Sequence, residues 1–397
     1  MKIIKILLLV LLIAIPLPFG YLLIEHTFLS SSKNTLFHGD LPVNEIPSDY
    51  YPFNRKFFFE IPQGPSKGRK MFYHDTVYGK GAPAHTIVFV HGNPASSYVF
   101  KDIIDDVKVS VSETVRIIAM DHIGFGLSDR AETTLRPGDH ADNLLQLVRY
   151  LDLTDVILVV HDWGGPIGIH AFLHVPGTVS GLVLLNTTVF PLSAVDIIFH
   201  HYGVSTFGSE SLTPYIPDFC YGRYAAYSIY QNPAMSIFAK FDFIQALILD
   251  MDRDFPFADR EAILFFSNHL RSEQNIENSR LLYKNALYFN SPQERLQLSD
   301  KPSMDTFIGF ITENISEKWG PEGSNIPTRG FFGDHDMVSD PVFTGKWTGG
   351  LPQLNGHITI LENSGHSFRG DHAEDVAKGI SELIRDMPAK GAFPVGP

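Results

Sequence analysis

Cysteine is almost missing from this chain: its 397 residues contain one, Cys220. No internal disulfide can form, so cysteine usage carries no information about an oxidising compartment, and Cys220 reads as a thiol in a core. Cations are scarce as well. Thirty-one Lys and Arg stand against 44 Asp and Glu, a formal net charge of −13 at pH 7. Phosphate binding needs a basic face, so the balance argues against a nucleic-acid partner. Long charge runs, low-complexity tracts and internal repeats are also absent. With 44% hydrophobic residues, the chain is long and apolar enough to build a large core.

One long apolar run is present. Lys2 and Lys5 precede a charge-free stretch of 19 residues from Ile6 to Ile24, enough to cross a bilayer core of about 30 Å at about 1.5 Å per residue. A secretory h-region is about 7–15 residues long and ends in a small-x-small site, which LLIEHTFLSSS does not offer. The expectation is a single-pass membrane anchor at residues 1–25. The lysines ahead of it would place the large domain on the periplasmic, lumenal or external side. Pro16 and Pro18 would kink such a helix and leave a cleaved signal as the alternative. Residues 26–52 are polar and proline-containing, and read as a linker.

From residue 53 onward, apolar runs of strand length alternate with helical patterns. TIVFVHG, VRIIAMD, VILVVHD and GLVLLN are separated by amphipathic stretches such as DNLLQLVRYLDL and GGPIGIHAFLHV. Continuous Val/Ile/Leu strands between helices imply a parallel sheet buried on both faces, hence an α/β, doubly wound fold. FFFEIP and KMFYHDTVYG upstream add an antiparallel hairpin at one edge. The alternation stops over residues 191–327, where aromatic-rich helical pieces dominate, and resumes over 328–397 with TRGFFGD, GHITILENSG and a terminal helix AEDVAKGISELIRD. The expected organisation is therefore a core of 53–190 and 328–397, interrupted by a helical cap that roofs the carboxyl ends of the strands.

Asp162 stands where the strand VILVVHD meets the helix GGPIGIHAFLHV. So abrupt a turn pushes the apical side chain into the cleft, and the glycines allow backbone to approach closely. An aspartate capping the helix N-terminus would look similar. Three partners favour the nucleophile elbow. His91-Gly92-Asn93-Pro94 follows a strand about 70 residues upstream, Asp336 follows the strand TRGFFGD, and His366 follows the next strand. Their order is that of a nucleophile, acid and histidine set on strand ends. Asp334, His335, Asp336 and His366 could alternatively form a metal cluster, but the triad accounts for Asp336 and His366 without an ion, so no metal or cofactor is expected. His122, His161, His200 and His201 receive no role, and Asn314-Ile-Ser is a glycosylation sequon.

HGNPASSYVF, DHIGFGLSD and VVHDWGG, with the segments around Asp336 and His366, resemble the α/β-hydrolase superfamily and, within it, the haloalkane dehalogenases. The resemblance implies an α/β-hydrolase fold with an inserted cap. It also implies that Asp162 attacks carbon while the side chains of Asn93 and Trp163 hold the leaving halide. One subgroup carries its acid as a glutamate after the strand that here ends in Asn186; this chain resembles the subgroup with an Asn-Trp pair and a later Asp, which points to Asp336.

A carboxylate attacking a carbonyl would form an anhydride, so Asp162 suits displacement at saturated carbon, giving an ester. Cleaving that ester needs a base-activated water and oxyanion donors, roles for His366 and for the backbone N–H groups of Asn93 and Trp163, with Asp336 orienting His366. The expected substrate is a hydrophobic small molecule. Epoxide hydrolysis would use the same nucleophile with a tyrosine acid, and Tyr221, Tyr224, Tyr227 and Tyr230 recur at helical spacing in the cap, a pattern that also suits packing. Some relatives with the late aspartate resemble β-lactone decarboxylases. A hydrolase fold serving as a membrane-tethered binding module is the non-enzymatic alternative.

Overall fold

The computed structural model describes residues 56–199, 272–290, 292–334, 340–368 and 371–387, with 36–37, 41–42, 218, 221, 270 and 336 besides. Eight strands make one sheet: β1 (Lys56–Glu60), β2 (Lys70–Tyr78), β3 (His85–Val90), β4 (Val115–Met120), β5 (Val156–His161), β6 (Val179–Leu185), β7 (Thr328–Gly333) and β8 (Ile358–Leu361). Their order is β8-β7-β6-β5-β3-β4-β2-β1. Pairing is parallel from β8 through β4, and the hairpin of β1 and β2 joins antiparallel at one edge. The expected alternation and edge hairpin are both present.

The described helices are α1 (Lys101–Ser110), α2 (Pro137–Tyr150), α3 (Gly164–Leu173), α4 (Ala194–Phe199), α5 (Glu273–Asn290), α6 (Pro292–Gln297), α7 (Lys301–Trp319), α8 (Pro341–Gly350) and α9 (Asp371–Asp386), of which α2, α3 and α7 cover one face of the sheet and α1 and α9 the other. Every position of β5 is buried, because successive side chains leave the strand on opposite faces and each face has its own helical layer. Leu158 and Val160 join the cluster that contains residues of α2, α3 and α7, whereas Ile157 and Val159 join the one that contains residues of α1 and α9. This is why the sequence of β5 is unbroken rather than alternating.

Of the span expected as a cap, residues 200–269, apart from 218 and 221, lie outside the described residues, as do 271 and 291. Within that span α7 packs against α2 and α3 and so belongs to the layer on the sheet. Helix α5 is tied down by asparagines on its buried stripe. Asn275 Oδ1 accepts the Ala131 N–H at 3.0 Å, and Asn278 Oδ1 accepts the Leu135 N–H at 3.0 Å while its Nδ2 donates to the Thr133 carbonyl at 3.1 Å. These bonds satisfy backbone groups of the loop 131–135, which lies outside the sheet.

The expected membrane anchor and membrane localisation are corrected. Among the described residues no helix is long and apolar enough to cross a membrane. The two longest, α5 and α7, have 18 and 19 residues and carry charges along their length, including Glu277, Arg280 and Lys284 in the first and Asp305, Glu313 and Lys318 in the second. The apolar runs that are described form short strands instead. The stretch 6–24 on which the anchor was read lies outside the described residues, so no membrane attachment is assigned to this chain.

Candidate active site

Asp162 follows β5 with φ at 52°, a left-handed conformation that aspartate tolerates better than most residues. The turn is held from three directions. The Asp162 N–H donates to the Leu185 carbonyl at 3.3 Å, and the Asp162 carbonyl accepts the Gly165 N–H at 3.0 Å and the Thr187 hydroxyl at 2.6 Å. Two glycines are required by close approach. A Cβ on Gly92 would lie 2.1 Å from Asp162 Oδ1, and one on Gly164 would lie 2.0 Å from the Val90 carbonyl oxygen.

The two oxygens of Asp162 have different surroundings. Oδ1 accepts the Asn93 N–H at 2.6 Å, and the Trp163 N–H also hydrogen-bonds the carboxylate. Oδ2 lies 3.5 Å from His366 Nε2, and the side chain keeps 23% of its exposure. On its other side His366 Nδ1 hydrogen-bonds Asp336 Oδ2, whose side chain is only 6% exposed. Asp336 follows β7 and His366 follows β8, adjacent parallel strands whose carboxyl ends point the same way as that of β5. Sequence positions 162, 336 and 366 thus converge into one line of groups, in the order expected.

Charge is distributed accordingly. Burial raises the Asp162 carboxyl, but the hydrogen bond and charge of His366, with help from His161 and the Trp163 N–H, outweigh it and hold the group below the ordinary carboxylate range. Burial lowers His366, yet the charges of Asp336 and Asp162 and its hydrogen bonds to them raise it well above an ordinary imidazole. The resting site is an imidazolium between two carboxylates.

Two residues with no expected role in the chemistry hold this histidine. Asn186, with φ at 38°, donates from Nδ2 to the carbonyls of Gly365 at 3.0 Å and His366 at 2.8 Å, while its Oδ1 accepts the Gly333 N–H at 2.9 Å. It thereby ties the end of β7 to the histidine loop. His161 Nε2 lies 2.7 Å from the His366 carbonyl. Burial, then the charge of His366, lowers its pKa to about 4, so at neutral pH it donates from Nε2–H as an uncharged ring. The signal for both was a polar residue at the end of an apolar strand.

The side chains expected to grip a leaving halide both meet α5. Asn93 Nδ2 donates to the Ser279 carbonyl at 3.2 Å, and the Ser279 hydroxyl donates to Asn93 Oδ1 at 2.8 Å. The Trp163 ring packs edge-on against Phe289 at 5.6 Å, and among the described residues its indole N–H has no hydrogen-bond partner. Ser279 was not singled out in the sequence. The signal was a polar residue at four- and three-residue spacing from the buried Asn275 and Leu282, on the buried stripe of the helix.

The remaining candidates are placed as follows. Asp334 accepts the N–H groups of Asn363 and Ser364, each at 3.0 Å, and His335 lies outside the described residues; among the described residues no group of three or more potential ligands could hold a metal. His122 is buried beside His91, its backbone N–H donating to His91 Nε2 at 3.0 Å. In DHIGFGLSD the buried Asp121 joins two loops, accepting the N–H groups of Ser97 and Leu127, each at 2.7 Å. Tyr221 is fully buried with its hydroxyl 3.0 Å from Ser279 Oγ. Tyr224, Tyr227, Tyr230, His200, His201 and Cys220 lie outside the described residues. Asn314 sits on α7 with Nδ2 donating to its own helix at Phe310.

Comparison with known proteins matches residues 85–202 to the family model described as alpha/beta hydrolase fold. A haloalkane dehalogenase of Sphingobium indicum is 37% identical over 150 residues, covering 36% of this chain and 46% of that protein. A cis-3-alkyl-4-alkyloxetan-2-one decarboxylase of Shewanella oneidensis is 35% identical over 147 residues, covering 36% of this chain and 41% of that protein. The chain therefore matches less than half the length of these curated relatives. The crystal structure of the haloalkane dehalogenase DbeA from Bradyrhizobium elkani superposes with a TM-score of 0.55 at 19% identity, over 83% of this chain and 97% of that one. The strand order, the elbow and these matches agree on the α/β-hydrolase fold.

Proposed function

We propose that this chain, with its α/β-hydrolase fold, is a haloalkane dehalogenase-like hydrolase that attacks saturated carbon through Asp162. The observation that carries the reading is the unequal treatment of the two carboxylate oxygens. Oδ1 accepts the Asn93 N–H and the Trp163 N–H also bonds the carboxylate, whereas Oδ2 faces His366 at 3.5 Å in a side chain still open to solvent. In the proposed first step Oδ2 displaces halide from an sp³ carbon, and Oδ1 becomes the ester carbonyl oxygen without leaving its donors. Those donors then stabilise the oxyanion formed when water attacks, so one pair of amides serves resting state, ester and tetrahedral intermediate.

Alkylation also changes His366. It removes the negative charge beside Nε2, one of the two charges that keep the imidazole protonated. The proton is then released more easily, and the neutral ring takes one from the attacking water while Asp336 stabilises the imidazolium. The leaving halide departs as an anion, and the side-chain N–H groups of Asn93 and Trp163 are the proposed donors to it.

A second reading draws on the decarboxylase of Shewanella oneidensis, whose identity is nearly as high: the same nucleophile opening a β-lactone. Epoxide hydrolysis gains no support from Tyr221, the one of the four tyrosines among the described residues, which is buried with its hydroxyl near Ser279. The test offers bromoalkanes, styrene oxide and a dialkyl β-lactone separately. Bromide release without diol is expected. His366→Gln should halt the reaction at the ester, adding the alkyl mass to the peptide that contains Asp162. An adduct on another residue, or carbon dioxide release from the lactone with no bromide release, overturns the dehalogenase reading.

A further inference from the structure

We infer that Ser279, on the cap-side helix α5, is a positioning residue that fixes the amide of Asn93 and so sets the site's affinity for the leaving anion. The inference rests on the proposed role of Asn93. A carboxamide can present either its oxygen or its nitrogen to a ligand, and the two orientations differ by a half-turn that costs little in water. Ser279 discriminates between them because it offers one acceptor and one donor together. Its carbonyl takes one Nδ2 hydrogen at 3.2 Å, and its hydroxyl donates to Oδ1 at 2.8 Å. The flipped amide would set C=O against the Ser279 carbonyl, and would cost the hydroxyl its bond to Oδ1 unless it gave up its hydrogen elsewhere. The second Nδ2 hydrogen has no partner among the described residues and remains for an anion.

The serine is itself constrained. Tyr221 lies with its hydroxyl 3.0 Å from Ser279 Oγ. If the serine hydrogen goes to Asn93, the tyrosine donates to the serine, giving a directed chain Tyr221 to Ser279 to Asn93. Arg280, the next residue of α5, stacks over the Tyr221 ring at 4.9 Å and bonds Asp218 at 2.5 Å and Glu277 at 2.6 Å. Tyr221 and Ser279 are both fully buried, so water does not substitute for either hydroxyl. Along the same face, Leu282 and Phe289 follow Ser279 at helical spacing, and Phe289 packs on Trp163. One helix thus backs both proposed halide donors.

The experiment measures bromide binding to the intact chain by calorimetry, with sodium bromide as the probe, alongside turnover of a bromoalkane. Ser279→Ala should weaken bromide binding about five- to tenfold, the equivalent of one net hydrogen bond. Ser279→Thr, which keeps the hydroxyl, should restore it to within about twofold. The same serine change in an Asn93→Ala background should have no further effect on bromide, because its influence passes through that amide. Additive losses in the double variant overturn the role, as does unchanged bromide affinity in Ser279→Ala. Should Ser279→Ala not fold, Tyr221→Phe carries the same test, with a two- to threefold loss expected and no loss overturning it. Bromide binding by the unaltered chain with no effect of the serine sinks this inference alone; no bromide binding at all sinks the dehalogenase reading beneath it.

Discussion

Replacing Asn186 by alanine removes more than a contact, because the amide joins β7 to the histidine loop and its backbone is left-handed. Three hydrogen bonds are lost: two to the carbonyls of Gly365 and His366 and one from the Gly333 N–H. The His366 carbonyl keeps His161 as a donor, so the main penalty is the buried Gly333 N–H, about 1–3 kcal/mol when unsatisfied. Alanine at φ 38° adds roughly 1 kcal/mol that asparagine largely avoids. The sum, about 2–4 kcal/mol, lowers the melting temperature of a domain this large by roughly 3–6 °C. Asn186→Gly separates the two contributions. Glycine is ordinarily worse than alanine by about 0.5–1 kcal/mol, but here it is free of the φ penalty and should be no less stable than the alanine variant. Thermal unfolding by circular dichroism checks the ranking, and bromide release checks the consequence for His366, whose loop loses its anchor. An alanine variant that melts within a degree or two of the parent refutes the reasoning, as does one clearly more stable than Asn186→Gly.

Gly92→Ala tests the close approach behind the elbow: a methyl 2.1 Å from Asp162 Oδ1 and 2.5 Å from the Trp163 nitrogen must displace the carboxylate or its donors. Bromide release should fall at least 100-fold, and retained activity would show that the loop has room. Acid should unfold the protein before carboxylates titrate, because burial lowers both His161 and His170 to about 4. The unfolded chain takes up protons on these rings below about pH 6.5 while the native one does not, so stability falls as pH drops from there towards 4, by on the order of 3 kcal/mol for each ring at the end of that range. Melting curves at pH 7, 5.5 and 4.5 check this, and a flat melting temperature between pH 7 and 5 would remove the cause.

How much of this was legible in the sequence depended on whether a residue announced itself locally. β5 and the strands around it were readable because burial on both faces leaves unbroken apolar runs, and Asp162, Asp336 and His366 because each falls at the end of one. Asn186 and His161 stand at strand ends as well, yet their partners are backbone groups of the loop around His366, and backbone acceptors leave no mark in a sequence. Ser279 was hidden for a related reason. A polar residue on a helix reads as solvent-facing unless the opposite element is known, and Asn93 lies 186 positions away. The apolar stretch at 6–24 shows the converse hazard, since a local pattern alone supported an anchor that no described helix supplies.

The placement of Asp162 also answers the simplest objection to its proposed role, that an aspartate at a helix start is a cap. A capping carboxylate spends its oxygens on helix N–H groups and gains stability by doing so. Here α3 begins with no side-chain cap from its own N-cap residue, Trp163. The Asp162 oxygen that does meet amides takes one from the distant Asn93 loop, and the other oxygen is held against an imidazolium. Such a charge pair costs desolvation that a cap would not, and the left-handed φ of 52° adds strain. Both costs fall on a carboxylate whose side chain keeps 23% of its exposure, which is the arrangement expected where stability is given up for reactivity.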